Sequence, residues 1–155
     1  MRVWRIAREG HADFQGEGAR LGGGRWNAKG IPMVYTSATL SLAALEYLVN
    51  VRREDAPDDL VSIWADVPGV MSRRELTIPE LPARWRAYPA PEKLAAIGTE
   101  WAKSLETAVL IVPSTIIPEE KNWLWNPRHP DARHIAIGKK ARFSFDPRLR
   151  KRKSG

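Results

Sequence analysis

The chain places a glutamate where an apolar residue is expected. In TLSLAALEYLVNV, Leu42, Leu45 and Val49 recur at i, i+3 and i+7, and Glu46 takes the i+4 slot of that stripe. An inward carboxylate must be paired, protonated or used. Three groups at other element ends have complementary chemistry: Arg25 in GGGRWNAKG, Tyr35 in MVYTS and Ser114 in VLIVPSTIIP. An acid, an arginine, an aromatic ring and a hydroxyl suit a reaction site better than a core.

Each group also has a plainer reading. Glu46 either forms a buried ion pair with Arg25 or Arg5, or acts on a ligand. Arg25 follows three glycines, where backbone and ligand can approach closely and a guanidinium can grip phosphate or carboxylate. It is otherwise a surface arginine after a turn. Tyr35 is a core tyrosine with a bonded hydroxyl or a stacking face for a ring. Ser114 lies between Pro113 and Pro118 with no G-x-S-x-G elbow, so it is a hydrogen-bonding group rather than a nucleophile. In NWLWNPRHP, Asn126 before Pro127 signals a turn, with the tryptophans packed over a sheet and His129 lacking the spacing of a general base. Arg5 in VWRIA points opposite Trp4 and Ile6 and can face a cleft.

The elements that must hold these groups follow from periodicity and breakers. A strand is expected at 3–7, then a loop over 8–24 containing six glycines. A strand at about 33–36 leads to a helix capped by Ser37 or Thr39, running to about Val51 and broken by REDAPDD at 53–59. LVSIWADVP (60–68) alternates as a strand. Five prolines make 68–91 a meandering connection. Residues 91–106 form an amphipathic helix with Pro91 in its first turn. The continuous apolar run 108–113 reads as a strand covered on both faces. Further strands are expected at 134–139 and 142–147. The fold class is α+β: a single domain with a mixed or antiparallel sheet of about six strands and two main helices.

Composition narrows the function classes. The 155 residues suit one domain, and 43% apolar content supports a core. No apolar run approaches the roughly 20 residues of a membrane span. The N-terminus lacks an apolar signal region, so a cytoplasmic protein is expected. The chain has no cysteine, and its three histidines lack metal-site spacing, so no metal is expected. The net charge of +7 is local. Lys139, Lys140, Arg142, Arg148, Arg150, Lys151, Arg152 and Lys153 stand against Asp146 alone, leaving residues 1–138 neutral. The division is therefore a domain at 1–147 and a basic, disordered tail at 148–155. Such a tail is solvated, or touches nucleic acid or an acidic partner. A nucleic-acid-binding module would have to work through it, because the body offers no basic excess.

Taken in order, these blocks resemble the RES-domain family, toxins of bacterial toxin–antitoxin pairs whose antitoxins carry an Xre-type helix-turn-helix. The family's arginine, glutamate and serine match Arg25 in GGRWNAKGIPMVYTS, Glu46 in SLAALEYLV and Ser114 in VPSTIIP. VWRIA and NWLWNPRHPDA resemble its flanking blocks, and the likeness covers about residues 2–147. The resemblance implies a fold similar to diphtheria-toxin-like ADP-ribosyltransferases, with NAD as substrate and no cofactor. It implies cleavage of the nicotinamide–ribose bond by hydrolysis or phosphorolysis, or transfer of ADP-ribose to a protein. Glu46 would then stabilise the ribosyl cation. Arg25 and Arg5 would hold pyrophosphate or ribose, Tyr35 would stack on nicotinamide, and Ser114 and Asn126 would bind the substrate's polar groups. An Xre-type antitoxin would cover the cleft, and nucleic acid would be met only through it.

Overall fold

A computed structural model describes residues 1–51 and 56–149. Its strands are β1 (Arg2–Arg8), β2 (Val34–Ser37), β3 (Leu60–Asp66), β4 (Arg73–Glu75), β5 (Val109–Pro113), β6 (Lys121–Trp125), β7 (Ala136–Ile137) and β8 (Ala141–Arg142). The helices are α1 (Glu17–Gly22), α2 (Leu40–Asn50) and α3 (Glu92–Ser104). The strands form one mixed sheet in the order β4-β5-β6-β2-β1-β3-β7, with β8 also on β3. Only β4–β5 is parallel among the described ladders.

The sheet is well knit on both sides of one weak seam. β1 pairs with β3 over its full length, from Arg2↔Asp66 to Arg8↔Leu60. β6 pairs with β2 from Val34↔Trp125 to Ser37↔Asn122, and with β5 from Val109↔Trp125 to Pro113↔Lys121. Between β1 and β2 the register has a single pair, Trp4↔Ser37. The two halves of the curled sheet part beyond it.

β5 and β6 are covered on both faces, as the apolar run of β5 predicts. Val109, Ile111, Trp123 and Trp125 pack with Val3 and Val34 on one face. Leu110, Val112 and Leu124 pack on the other with Leu94 and Trp101 of α3. Leu94 and Trp101 are almost wholly buried, and each such side chain contributes about 1.5–3 kcal/mol. Gly98 allows α3 its close approach: a Cβ there would lie 1.8 Å from the Trp26 carbonyl oxygen.

The α+β class holds, with α2 and α3 as the two main helices; the described residues add a short third, α1, and form eight strands rather than about six. α1 forms inside the glycine-rich stretch, and β4 inside the proline-rich one. β6 occupies the segment expected as a loop. The strand expected at 134–139 shrinks to two residues, because 130–134 wind into a 3-10 turn begun by Pro130. That at 142–147 keeps only Arg142, as its last residue enters another 3-10 turn. The breaker at 53–59 lies partly outside the described residues, as does the basic tail expected at 148–155, of which only Arg148 and Leu149 are described, in the last 3-10 turn. No helix among the described residues is long and apolar enough to cross a membrane.

Candidate active site

α2 starts where Thr39 Oγ1 accepts from the Leu42 N–H at 3.1 Å. Its buried residues are Leu42, Ala43 and Leu48, while Leu45 and Val49 are exposed. The stripe therefore starts in the core at Leu42 and leaves it further along the helix, so that Glu46 and Val49 line a cleft. Apolar spacing alone does not distinguish those two faces.

Two donors hold the Glu46 carboxylate. Ser114 Oγ donates to Oε1 at 2.9 Å, and Asn122 Nδ2 donates to the same oxygen at 2.6 Å. Ser114 is wholly buried. Its oxygen also accepts from the Ile116 and Ile117 amides at 3.1 Å. Pro113 and Pro118 flank this turn, which fixes the hydroxyl. Among the described residues nothing donates to Oε2, and no cation lies within ion-pair distance of Glu46. The ion pair considered with Arg25 or Arg5 is not formed.

Arg25 sits at a tight turn closed by Gly24 N–H to Asn27 O at 3.0 Å. Trp26 beside it drives into the core, leaving Arg25 half-buried over the cleft. Asn27 Nδ2 donates to the carbonyls of Ala19, Ala28 and Ile31. The Tyr35 hydroxyl donates to Asn27 Oδ1 at 2.7 Å and accepts from the Trp26 N–H at 3.1 Å. A side chain at Gly24 would strike this clasp, 2.8 Å from both Asn27 Oδ1 and the Tyr35 hydroxyl. Burial pushes the Tyr35 hydroxyl's pKa well up, opposed by the Trp26 amide and the Arg25 charge.

These residues wall a cleft of about 1000 Å³ over the β1–β2 seam, at the upper end of the range for ligand sites. Arg25 Nη1 donates to the carbonyls of Trp85 and Ala87 at 3.0 and 3.1 Å. Arg5 donates to the carbonyls of Asp13 and His11. Arg86, from the proline-rich stretch, donates to the Thr115 carbonyl at 2.8 Å. Burial lowers the pKa of Arg5 and Arg25, with Asp13 opposing for the first and Glu46 and Tyr35 for the second. Both remain charged, as guanidinium groups do. The surface arginines Arg2, Arg8, Arg20 and Arg148 each face a carboxylate. Among the described residues the three cleft arginines hydrogen-bond to carbonyls and form no ion pair, with Arg5 also 5.7 Å from the centre of the Phe14 ring, so their charge can serve an anionic ligand.

The structure thus brings Arg5, Arg25, Tyr35, Glu46 and Ser114 together, the first four on the cleft wall and Ser114 behind Glu46. Asn126 is elsewhere. Its Nδ2 donates to Ala102 O, its Oδ1 accepts from the Arg128 amide, and it lines a separate small cavity beside α3. Its expected place at the ligand is therefore corrected: it pins a turn. Four residues earlier, Asn122 occupies the site. The run WLW bounded by turn signals fits a buried strand, and reading it so would have placed Asn122 beside the end of β5.

One α+β domain thus sets a carboxylate and three arginines around a single cleft. The chain belongs to the RES-domain family: the family model described as RES domain matches residues 2–146. It is 40% identical over 152 residues to the Prs ADP-ribosylating toxin of Sphingobium sp. (strain YBL2), covering 94% of each chain. It is 38% identical to a protein named Toxin Res of Yersinia enterocolitica serotype O:8 / biotype 1B, over 88% of this chain and 90% of that one. The toxin of the M.tuberculosis MbcT-MbcA toxin-antitoxin complex shares the fold at TM-score 0.73 and 15% identity, over 92% of this chain and 84% of that one.

Proposed function

We propose that the cleft binds NAD and breaks its nicotinamide–ribose bond. The observation that carries this is the Glu46 carboxylate, held at Oε1 by Ser114 and Asn122, with no donor to Oε2 among the described residues, in a cleft that Arg5 and Arg25 also line. The arginines take the pyrophosphate. The Tyr35 ring offers a stacking wall for nicotinamide. As nicotinamide leaves with the bonding electron pair, positive charge grows on the ribose, and Glu46 stabilises it. Water or phosphate then attacks the anomeric carbon and releases a proton. Ser114 works through Glu46 rather than on substrate, since its hydroxyl is already saturated.

Transfer of ADP-ribose to a protein uses the same bond cleavage with a different acceptor. The relative at 40% identity, whose name describes it as ADP-ribosylating, favours this second reading. An antitoxin, of the Xre type in the family this chain resembles, is proposed to cover the cleft. Incubation with NAD labelled in its adenylate separates the outcomes. Free ADP-ribose or its phosphate supports consumption of NAD, and label on a protein supports transfer. Absence of any nicotinamide release would overturn both.

A further inference from the structure

Strand pairing sets Ser37 of β2 opposite Asn122 of β6. The Ser37 hydroxyl donates to Asn122 Oδ1 at 2.7 Å, and Asn122 Nδ2 donates to Glu46 Oε1 at 2.6 Å. Chemistry forces this direction. A carboxylate oxygen only accepts, so the amide must turn its NH₂ toward Glu46 and its carbonyl toward Ser37. Ser37 has one hydrogen to give, and this carbonyl receives it. The amide is thereby locked against reversal, which would set carbonyl against carboxylate.

We propose that Ser37 and Asn122 are positioning residues, a relay that fixes the Glu46 carboxylate so that Oε2 faces the cleft. The inference rests on Glu46 being the reacting carboxylate. Other titratable and charged groups sharing the cleft are Arg5 on β1, Arg25 on its turn, Tyr35 on β2, Tyr47 on α2, and Arg86 and Tyr88 in the proline-rich stretch. The relay adds no charge to them. It selects which oxygen of the acid is free.

Asn122→Asp replaces the donor NH₂ by oxygen with almost no change of shape. Two carboxyls then share one contact, resist joint ionisation and titrate in two separated steps. A carboxylate there repels Glu46 instead of donating to it, so kcat for NAD consumption at neutral pH should fall at least about tenfold, with KM held. Ser37→Ala should lower kcat about tenfold, again with KM held. An unchanged kcat in Asn122→Asp or in Ser37→Ala overturns the relay. A carbon-13 titration of the side-chain carboxyls needs no substrate and keeps the two readings apart. Coupled two-step titration in Asn122→Asp supports the relay even if the wild type consumes no NAD, and independent single steps overturn it. A wild type that releases no nicotinamide sinks the enzymatic reading alone.

Discussion

The Ser114 hydroxyl donates to Glu46 Oε1 while two backbone amides fill its own oxygen. It has nothing left for a ligand. Ser114→Ala should therefore lower turnover of NAD with little change in KM. The loss should be about 10–100-fold, the worth of a hydrogen bond to a charged group. The amides of Ile116 and Ile117 would also lose their acceptor, at a cost of about 1–3 kcal/mol. Steady-state kinetics and urea unfolding on one preparation read both effects. A raised KM with intact kcat would instead put Ser114 on the substrate.

Glu46→Gln keeps the shape and removes the charge. Turnover should fall about 10²–10³-fold, while unfolding changes little, since no ion pair among the described residues is broken. Wild-type consumption of NAD by the purified variant would rule out the assigned role.

Gly98→Ala tests the support of Arg25 from behind. The added Cβ would sit 1.8 Å from the Trp26 carbonyl oxygen, a backbone atom that cannot step aside. Overpacking of this kind costs about 1–3 kcal/mol or more. Trp26 and Arg25 share one turn, so NAD should also bind more weakly. Calorimetric titration of NAD against wild type and variant checks this, and unchanged affinity would uncouple the two.

Alkaline stability should report on Tyr35. Its hydroxyl stays protonated in the fold well above the usual tyrosine value of about 10. The unfolded chain therefore loses this proton first. The stabilising effect is complete below about pH 10 and declines as pH rises toward the folded value. Urea midpoints should fall above that pH. Tyr35→Phe should be weaker at neutral pH, having lost the Asn27 clasp, yet decline less steeply in alkali. Parallel pH dependence in the two proteins would contradict this.

The sequence exposes the site unevenly. Thr39, the spacing of α2 and the apolar run of β5 carry local signals, and those elements form where expected. Glu46 stands out because its charge violates an apolar stripe. Asn122 does not, because nothing local marks an asparagine as the neighbour of a glutamate 76 residues away. β6 was hidden by its own burial: Trp123, Leu124 and Trp125 are all inside, so the strand lacks alternation. Asn126, beside a proline, advertised itself more loudly and serves only a turn. Arg86 lies in a stretch whose prolines leave no periodicity that would place it at the cleft.

The insertion of β6 between β5 and β2 also sets a time at which the site can exist. The two groups that hold Glu46 come 68 and 76 residues after it in the chain. A nascent polypeptide can form α2 early, since helices need only local contacts. Its carboxylate has nothing to aim it until β6 has left the ribosome and closed the sheet. Synthesis thus delivers an idle acid first and an oriented one late, and a chain released before Lys121 would never acquire the second.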